Sequence, residues 1–487
     1  MDSEKYSKLT SRRNFLRQAS CAAVGTMALT NTIRDLRLIN AAVAQSSLTD
    51  YKALVCLFLG GGNDANNWIV PTANAPYSAY ASIRGNLALP QSSLLTLRTG
   101  PNASDPAFTD ADGHTYGFHP TCQEMQTLFG EGKLVPVLNT GTLVRPITRA
   151  EYLSNATGTR PPQLFSHSDQ VTQWQTSIPD QAPTTGWGGR VADILNGTAN
   201  PSGQISMSVS LNGSNTFEIG QLVSQYHVST TGAVALSGLT AGSARLQAVK
   251  DLLALNHVNL QRTAYADVVE RAIATGDLLN GAIATTRMAA DIPAGTWIWN
   301  TPFPNTGLGN QLKMIARLIE ARTPFNMKRQ IFFCSVGGYD THTNQVQLAP
   351  LNTTIGAHTN LLNEVSECMF AFQRAMEQLG LSDKVTTFTA SDFGRTFPTN
   401  SQGSDHGWGS HCMVMGGAVN GRRTYGKIPT FAINGPDDTS TGRWIPTLSV
   451  DQHAATIARW FGVNNTNIPA IFPNVGRFAT SNLGFMT

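Results

Sequence analysis

The sequence predicts an α/β fold, a three-layer α/β/α sandwich with a largely parallel central sheet. Two observations carry this. Six short runs are nearly continuous in apolar or β-favouring residues: Ala53–Leu59, Leu134–Asn139, Ile205–Leu211, Gln330–Val336, Val385–Ser391 and Cys412–Gly416. Strands covered on both faces read this way, whereas half-exposed strands alternate. Between these runs lie segments with helical spacing of apolar residues: Cys122–Phe129, Ala244–Met288 (long enough for two helices), Leu308–Ala321, Leu361–Leu379 and Asp451–Phe461. Strands that alternate with helices build parallel sheets with helices on both faces. The polar stretches Pro71–Pro120 and Val144–Thr185 are long for loops in a compact domain, so they are expected to be functional or to carry small elements of their own.

The N-terminus is of a different kind. Ser11, Arg12, Arg13, Asn14, Phe15, Leu16 and Arg17 spell S-R-R-x-F-L-R ahead of a mild apolar stretch, Ala19 to Thr30, too short to span a bilayer. Ala42-Val43-Ala44 offers a small-residue cleavage site, although Arg34, Asp35 and Arg37 place charge before it. Residues 1–44 are therefore expected to be a twin-arginine signal, recognised by the twin-arginine translocase, and residues 45–487 a single domain delivered folded to the periplasm or the medium.

Charge agrees with that division. Residues 1–44 hold seven Lys/Arg against three Asp/Glu, out of 34 against 31 overall, which leaves 27 against 28 in the remainder. With the signal set aside no basic excess remains for nucleic acid, and no apolar run is long enough for a stable membrane span. Beyond Cys21, five cysteines remain with no CxxC pair, and Cys56, Cys334 and Cys412 sit in the strand-like runs. Buried thiols are expected, in a fold that does not depend on disulfides.

Ligands of open α/β sheets bind at the carboxyl ends of the strands. Ala53–Leu59 runs into Gly60-Gly61-Gly62-Asn63-Asp64, Gln330–Val336 into Gly337-Gly338-Tyr339-Asp340-Thr341-His342, and Val385–Ser391 into Asp392-Phe393-Gly394-Arg395. Asp405-His406 and His411 stand just before Cys412–Gly416, and Ser166-His167-Ser168-Asp169 lies in the second long loop. Carboxylates and imidazoles converging from several strand ends are the donor set of a divalent metal site. Each residue also has a plainer role: Asp64 in a turn, Asp340 and His342 closing another, Asp392 capping a helix that starts near Gly394. His406 and His411 would then be solvated loop residues, and His167 would bond within its own loop. His114, His119, His227, His257, His358 and His453 are assigned to ordinary structure.

Together, GGGNDANNW, SHSDQ, GWGGRVAD, GGYDTHTNQ, SDFGRT and DHGWGSHCMVMGGAVNGRRTYG resemble a bacterial family of twin-arginine-exported proteins, domain of unknown function fifteen-zero-one, over nearly the whole mature chain. That family is regarded as a distant member of the alkaline phosphatase and sulfatase superfamily. The resemblance implies an alkaline phosphatase-like fold and hydrolysis of phosphate or sulfate esters over bound zinc, manganese, magnesium or calcium, with a small anionic ester as substrate. It maps Asp64 onto the first metal aspartate, Asp340 and His342 onto the other metal site, Asp392 onto the Ser-Asp-His-Gly aspartate, and His406 or His411 onto the late histidine ligand. Phe393 departs from the pattern, standing where the superfamily usually places a histidine, and no C/S-x-P-x-R stretch supplies a formylglycine. Ser166 and Ser168 are the candidate nucleophiles. Arg395 is either a clamp on an anionic oxygen or a surface ion-pair partner. A non-catalytic binding or assembly protein of the cell envelope is the alternative from a different class.

Overall fold

The computed structural model describes residues 48–234, 238–239, 242–255, 260–286 and 302–487. Residues 1–44, expected from sequence to be a signal and including Arg12 and Arg13, lie outside the described residues, as does His257. The nine strands of the main sheet are β1 (Lys52–Leu59), β2 (Leu134–Gly141), β3 (Ser208–Ser210), β4 (Tyr226–Ser229), β5 (Gly232–Ala233), β6 (Arg329–Val336), β7 (Val385–Ser391), β8 (Ser410–Met415) and β9 (Leu448–Ser449). Their spatial order is β9-β2-β8-β7-β1-β6-β3-β4-β5. β1 pairs in parallel with β7 and β6, β6 with β3, β3 with β4, and β9 with β2.

The α/β sandwich is present, and its layers follow from residue alternation. Ala53, Val55, Leu57 and Leu59 of β1 face one core, shared with helices α2 (Gln123–Gly130), α5 (Gly307–Glu320) and α6 (Ala357–Gln378). Leu54, Cys56 and Phe58 face the other, shared with α4 (Trp187–Ala199) and α7 (Val450–Phe461). Both sets are buried, which is why the run reads as continuously apolar. The covering helices show the expected stripe. In α5, Leu308, Leu312, Ile315 and Ile319 are buried, and the Thr306 side chain caps the helix by accepting from Gly309 N. A Ser449/Gln452 capping box starts α7 in the same way.

Three expectations are corrected. The run Cys412–Gly416 forms β8, but β8 lies antiparallel to β7 and to β2. Ile205–Leu211 contributes only the three residues of β3 to the sheet. No helix begins at Gly394, so Asp392 is not a helix cap. The two long loops do carry elements: α1 (Asn74–Arg84) and a small three-stranded sheet in the first, and a short helix, Arg149–Ser154, with α3 (His167–Thr176) in the second. The reversal of β8 matters for function. Residues preceding it emerge at the same sheet edge as residues following β1, β6 and β7. Cys56, Cys122, Cys334, Cys368 and Cys412 are buried and unpaired. No helix among the described residues is long and apolar enough to cross a membrane.

Candidate metal centre

At that edge the chain leaves β1 through Gly61 and Gly62, both at positive φ (116° and 83°). A Cβ on Gly61 would stand 2.4 Å from Asp340 N, and one on Gly62 would stand 2.5 Å from the Phe393 ring. Glycine is therefore required for the β1, β6 and β7 loops to close on one another. Beyond β6, buried Tyr339 fixes the turn that leaves Asp340 and His342 facing solvent. α3 begins at His167, and His406 comes from the loop ahead of β8.

These four residues converge. His406 Nε2 lies 3.1 Å from His167 Nε2, 2.9 Å from His342 Nε2 and 3.2 Å from Asp340 Oδ1. His342 Nε2 lies 3.0 Å from Asp340 Oδ1, and ligand atoms of His167, Asp340 and His406 all fall within 4.8 Å of one another.

The opposite ring nitrogens decide the tautomers. His406 Nδ1 is 2.8 Å from the Phe165 carbonyl, which can only accept. His167 Nδ1 is 2.7 Å from Asp392 Oδ2, and His342 Nδ1 is 2.9 Å from Asp405 Oδ1. A proton on each Nδ1 satisfies these acceptors, and in a neutral ring it leaves the Nε2 lone pair facing inward. Three such nitrogens and a carboxylate oxygen lie at hydrogen-bond distance from one another, where a cation could accept all four. Carboxylates and carbonyls that accept from Nδ1 are the usual outer partners of metal-ligating imidazoles. Two ligands on a tetrahedral zinc are about 3.3 Å apart at ordinary Zn–N distances, close to the spacing seen. The residues present fit a divalent ion with nitrogen-rich coordination.

The surroundings hold the ligands in place. Arg395 Nη1 donates to Asp340 Oδ1 at 2.7 Å. Burial raises the Asp340 carboxyl, but Arg395 outweighs it and keeps the group below the usual carboxylate range. Burial lowers His406, against the Phe165 carbonyl, which raises it. Phe393 packs its ring against both imidazoles, 4.8 Å from His167 and 4.7 Å from His406 between centroids. Asp392 is almost fully buried, accepts from Gly61 N at 3.0 Å and acts on the centre through His167 rather than facing it directly. Asp392→Ala should therefore weaken metal binding about 10- to 100-fold rather than abolish it. Competition against a chromogenic chelator measures this, and an unchanged affinity would show that His167 needs no such support.

Other residues expected at the centre lie elsewhere. Asp64 is fully buried and spoken for: Arg84 Nη2 and Gln345 Nε2 bond Oδ2, and Asn66 Nδ2 bonds Oδ1 at 3.0 Å. His411 is the second residue of β8, buried, with Nδ1 accepting from Asn139 N at 3.0 Å and burial lowering its pKa to about 4. Arg395 is fully buried, its guanidinium bonded to Asp340, Ser404 and the Gly61 carbonyl, so it orients Asp340 and is not free to clamp an anion. Ser166 donates to Asp169 Oδ2 at 2.6 Å, and Ser168 lies 3.3 Å from Ser166 on the exposed start of α3. The imidazole at this centre that the resemblance does not map onto a metal site is His167, which reads from sequence as bonding within its own loop. Of the histidines assigned to structure, His119, His358 and His453 are buried.

A family model described as protein of unknown function (DUF1501) matches residues 51–468. The chain belongs to this family. No curated protein matches it. Among solved structures, an integral membrane lipooligosaccharide phosphoethanolamine transferase A from Neisseria meningitidis aligns at 9% identity and TM-score 0.32, over 88% of this chain and 59% of that one. The chain thus spans about three fifths of the transferase's length. The PsFucS1 sulfatase from Pseudoalteromonas sp. aligns at 11% identity and TM-score 0.29, over 94% and 74%. A mutant of the alkaline phosphatase PafA aligns at 14% identity and TM-score 0.23, over 72% and 64%.

Proposed function

We propose that this DUF1501 protein is an exported, metal-dependent hydrolase of phosphate or sulfate esters. The observation that carries it is the set of three imidazoles, each fixed through Nδ1, turning Nε2 atoms on one another beside Asp340 at the carboxyl edge of a largely parallel sheet. His167, His342, His406 and Asp340 would hold the ion. Nitrogen-rich donors favour zinc over magnesium or calcium, which take oxygen. When bound, such an ion polarises an ester oxygen and stabilises the charge that develops on it. Ser166 stands immediately before His167 at the start of α3, and Asp169 is placed to accept its proton. In the proposed reaction Ser166 Oγ bonds to phosphorus or sulfur as its proton passes to Asp169, the bond to the leaving alkoxide breaks, and the alkoxide takes that proton and departs as the alcohol. Water then attacks the phosphoryl or sulfuryl group, one of its protons goes by way of Asp169 to the serine oxygen, and the free acid leaves.

Elemental analysis of the purified mature protein, followed by a panel of aryl phosphates and sulfates with and without chelator, tests the proposal. Retained metal with chelator-sensitive turnover is the expected result. Retained metal with no turnover of any ester favours the second reading, a non-catalytic envelope binding or assembly protein. That reading draws on one observation: both candidate hydroxyls are directed at Asp169 rather than at an imidazole.

The export part rests on Arg12 and Arg13 as a pair. Changing both to Lys should leave the precursor in the cytoplasm. Fractionation would read this, and normal accumulation of the double variant outside the cytoplasm rules the route out.

A further inference from the structure

The geometry points to a leaving-group pocket beside the metal centre, built for an ester that carries a second anionic group, with Arg160 as the residue that reads it. A cavity of about 490 Å³ is lined by Tyr152, Asn155, Arg160, Gln163 and Phe165 among others, and its lining holds no carboxylate. Phe165 belongs to the cavity and to the centre at once. Its side of the loop closes the pocket, while its carbonyl holds His406 Nδ1 at 2.8 Å, and His167 follows two residues on. A substrate whose ester oxygen meets the ligands therefore has this cavity at hand for the rest of its structure.

The loop is held in shape. Asn155, Gln163 and Phe165 all adopt left-handed backbone, with φ of 54°, 51° and 74°, and Gln173 Nε2 donates to the Pro162 carbonyl at 2.8 Å. Arg443 lies over the Phe165 ring at 4.2 Å and donates to the His406 carbonyl at 2.7 Å. Residues in sparsely populated backbone regions persist only where their surroundings fix them.

Arg160 is set in this wall by neutral groups. Its guanidinium stacks 4.8 Å over the Tyr152 ring and donates to the Asn155 side-chain oxygen. No carboxylate among the described residues pairs with it, in contrast to nearby Arg145, which meets Glu151 at 2.8 Å. A planar cation with fixed orientation and uncompensated charge in a polar cavity recognises a carboxylate, phosphate or sulfate through a two-point fork.

This inference rests on the metal-centre reading, and calorimetry on the metal-loaded protein separates the two. The probes are phenyl phosphate and 2-carboxyphenyl phosphate, the second differing by one carboxylate. Wild type should bind the carboxylated ester at least about tenfold more tightly, and Arg160→Gln should remove that preference while leaving phenyl phosphate binding and melting temperature unchanged. Arg160→Lys should restore part of it, because the charge returns without the fork. Equal affinities in wild type, or a preference that survives Arg160→Gln, overturns the pocket assignment. Failure of the hydrolase reading looks different: both esters stay intact although metal is bound, and the ratio of affinities still decides for or against the pocket.

Discussion

His406→Ala is expected to release the metal and to lower ester hydrolysis by about a thousandfold or more. His406 Nε2 is in contact with all three others, at 3.1 Å from His167, 2.9 Å from His342 and 3.2 Å from Asp340. Removing it opens the coordination sphere at its centre and removes the charge stabilisation that the ion supplies in the transition state, an effect of several kcal/mol. His406→Asn is the sharper variant. Its amide stands where Nδ1 does and can still donate to the Phe165 carbonyl, so the loop that carries His167 stays anchored while the inward imidazole lone pair is gone. Elemental analysis and aryl ester turnover are read side by side, with the melting temperature of each metal-free form as the folding control. A His406→Ala protein that keeps stoichiometric metal would sink the centre as drawn. Residual activity near wild type in a protein that has lost its metal would instead sink the metal-dependent mechanism while leaving the site standing.

How much of this centre could be read from sequence depends on what each signal encodes. Continuous apolar runs such as Ala53–Leu59 mark strands covered on both faces, and the rule that ligands gather at their carboxyl ends puts Asp340, His342 and Asp392 at one edge. The direction of Cys412–Gly416 is not written in its residues, because an apolar run reads the same whether it runs with its neighbours or against them. Its antiparallel course brings His406 in the preceding loop to the site edge and carries His411 into the buried strand. Local sequence could not choose between two histidines five positions apart. His167 opens α3, whose sequence HSDQVTQWQT has little apolar periodicity, so the segment reads as loop and its first residue as an ordinary loop histidine. Asp392 and Arg395 were legible as residues of interest, but not in role. Whether a carboxylate faces an ion or an imidazole is decided by the partner, here a His contributed 225 positions away.

Asp64 shows the same limit most clearly and gives the second large effect. After three glycines it reads as a metal aspartate or a turn residue, whereas the fold turns it toward Arg84 from α1 and Gln345 from the loop after β6. Both members of the Asp64–Arg84 pair are fully buried. Burial raises the Asp64 carboxyl, but the Arg84 charge, with help from His358, Gln345 and Asn66, outweighs it and holds the pKa below the usual range. The sign follows: the stability linked to Asp64 is present above the ordinary carboxylate pKa and is lost as pH falls through the lower folded value. Arg84→Ala reverses the balance. The carboxylate is left buried without its cation, which costs about 3–5 kcal/mol near neutral pH. Arg84 also donates to the Asn67 side chain and to the Thr396 and Phe397 carbonyls, so those groups lose a partner as well. With burial now dominant, the Asp64 of the variant takes up a proton in mildly acid solution and part of the loss disappears. The melting temperature of Arg84→Ala should therefore lie far below wild type at pH 7.5 and closer to it at pH 5. A gap that is small at pH 7.5, or that does not narrow with acid, removes Asp64 from the structural role. Asp64→Asn separates the remaining case: a structural Asp64 predicts a less stable protein that still binds its metal, and a ligand Asp64 predicts metal loss with the melting temperature of the metal-free form unchanged.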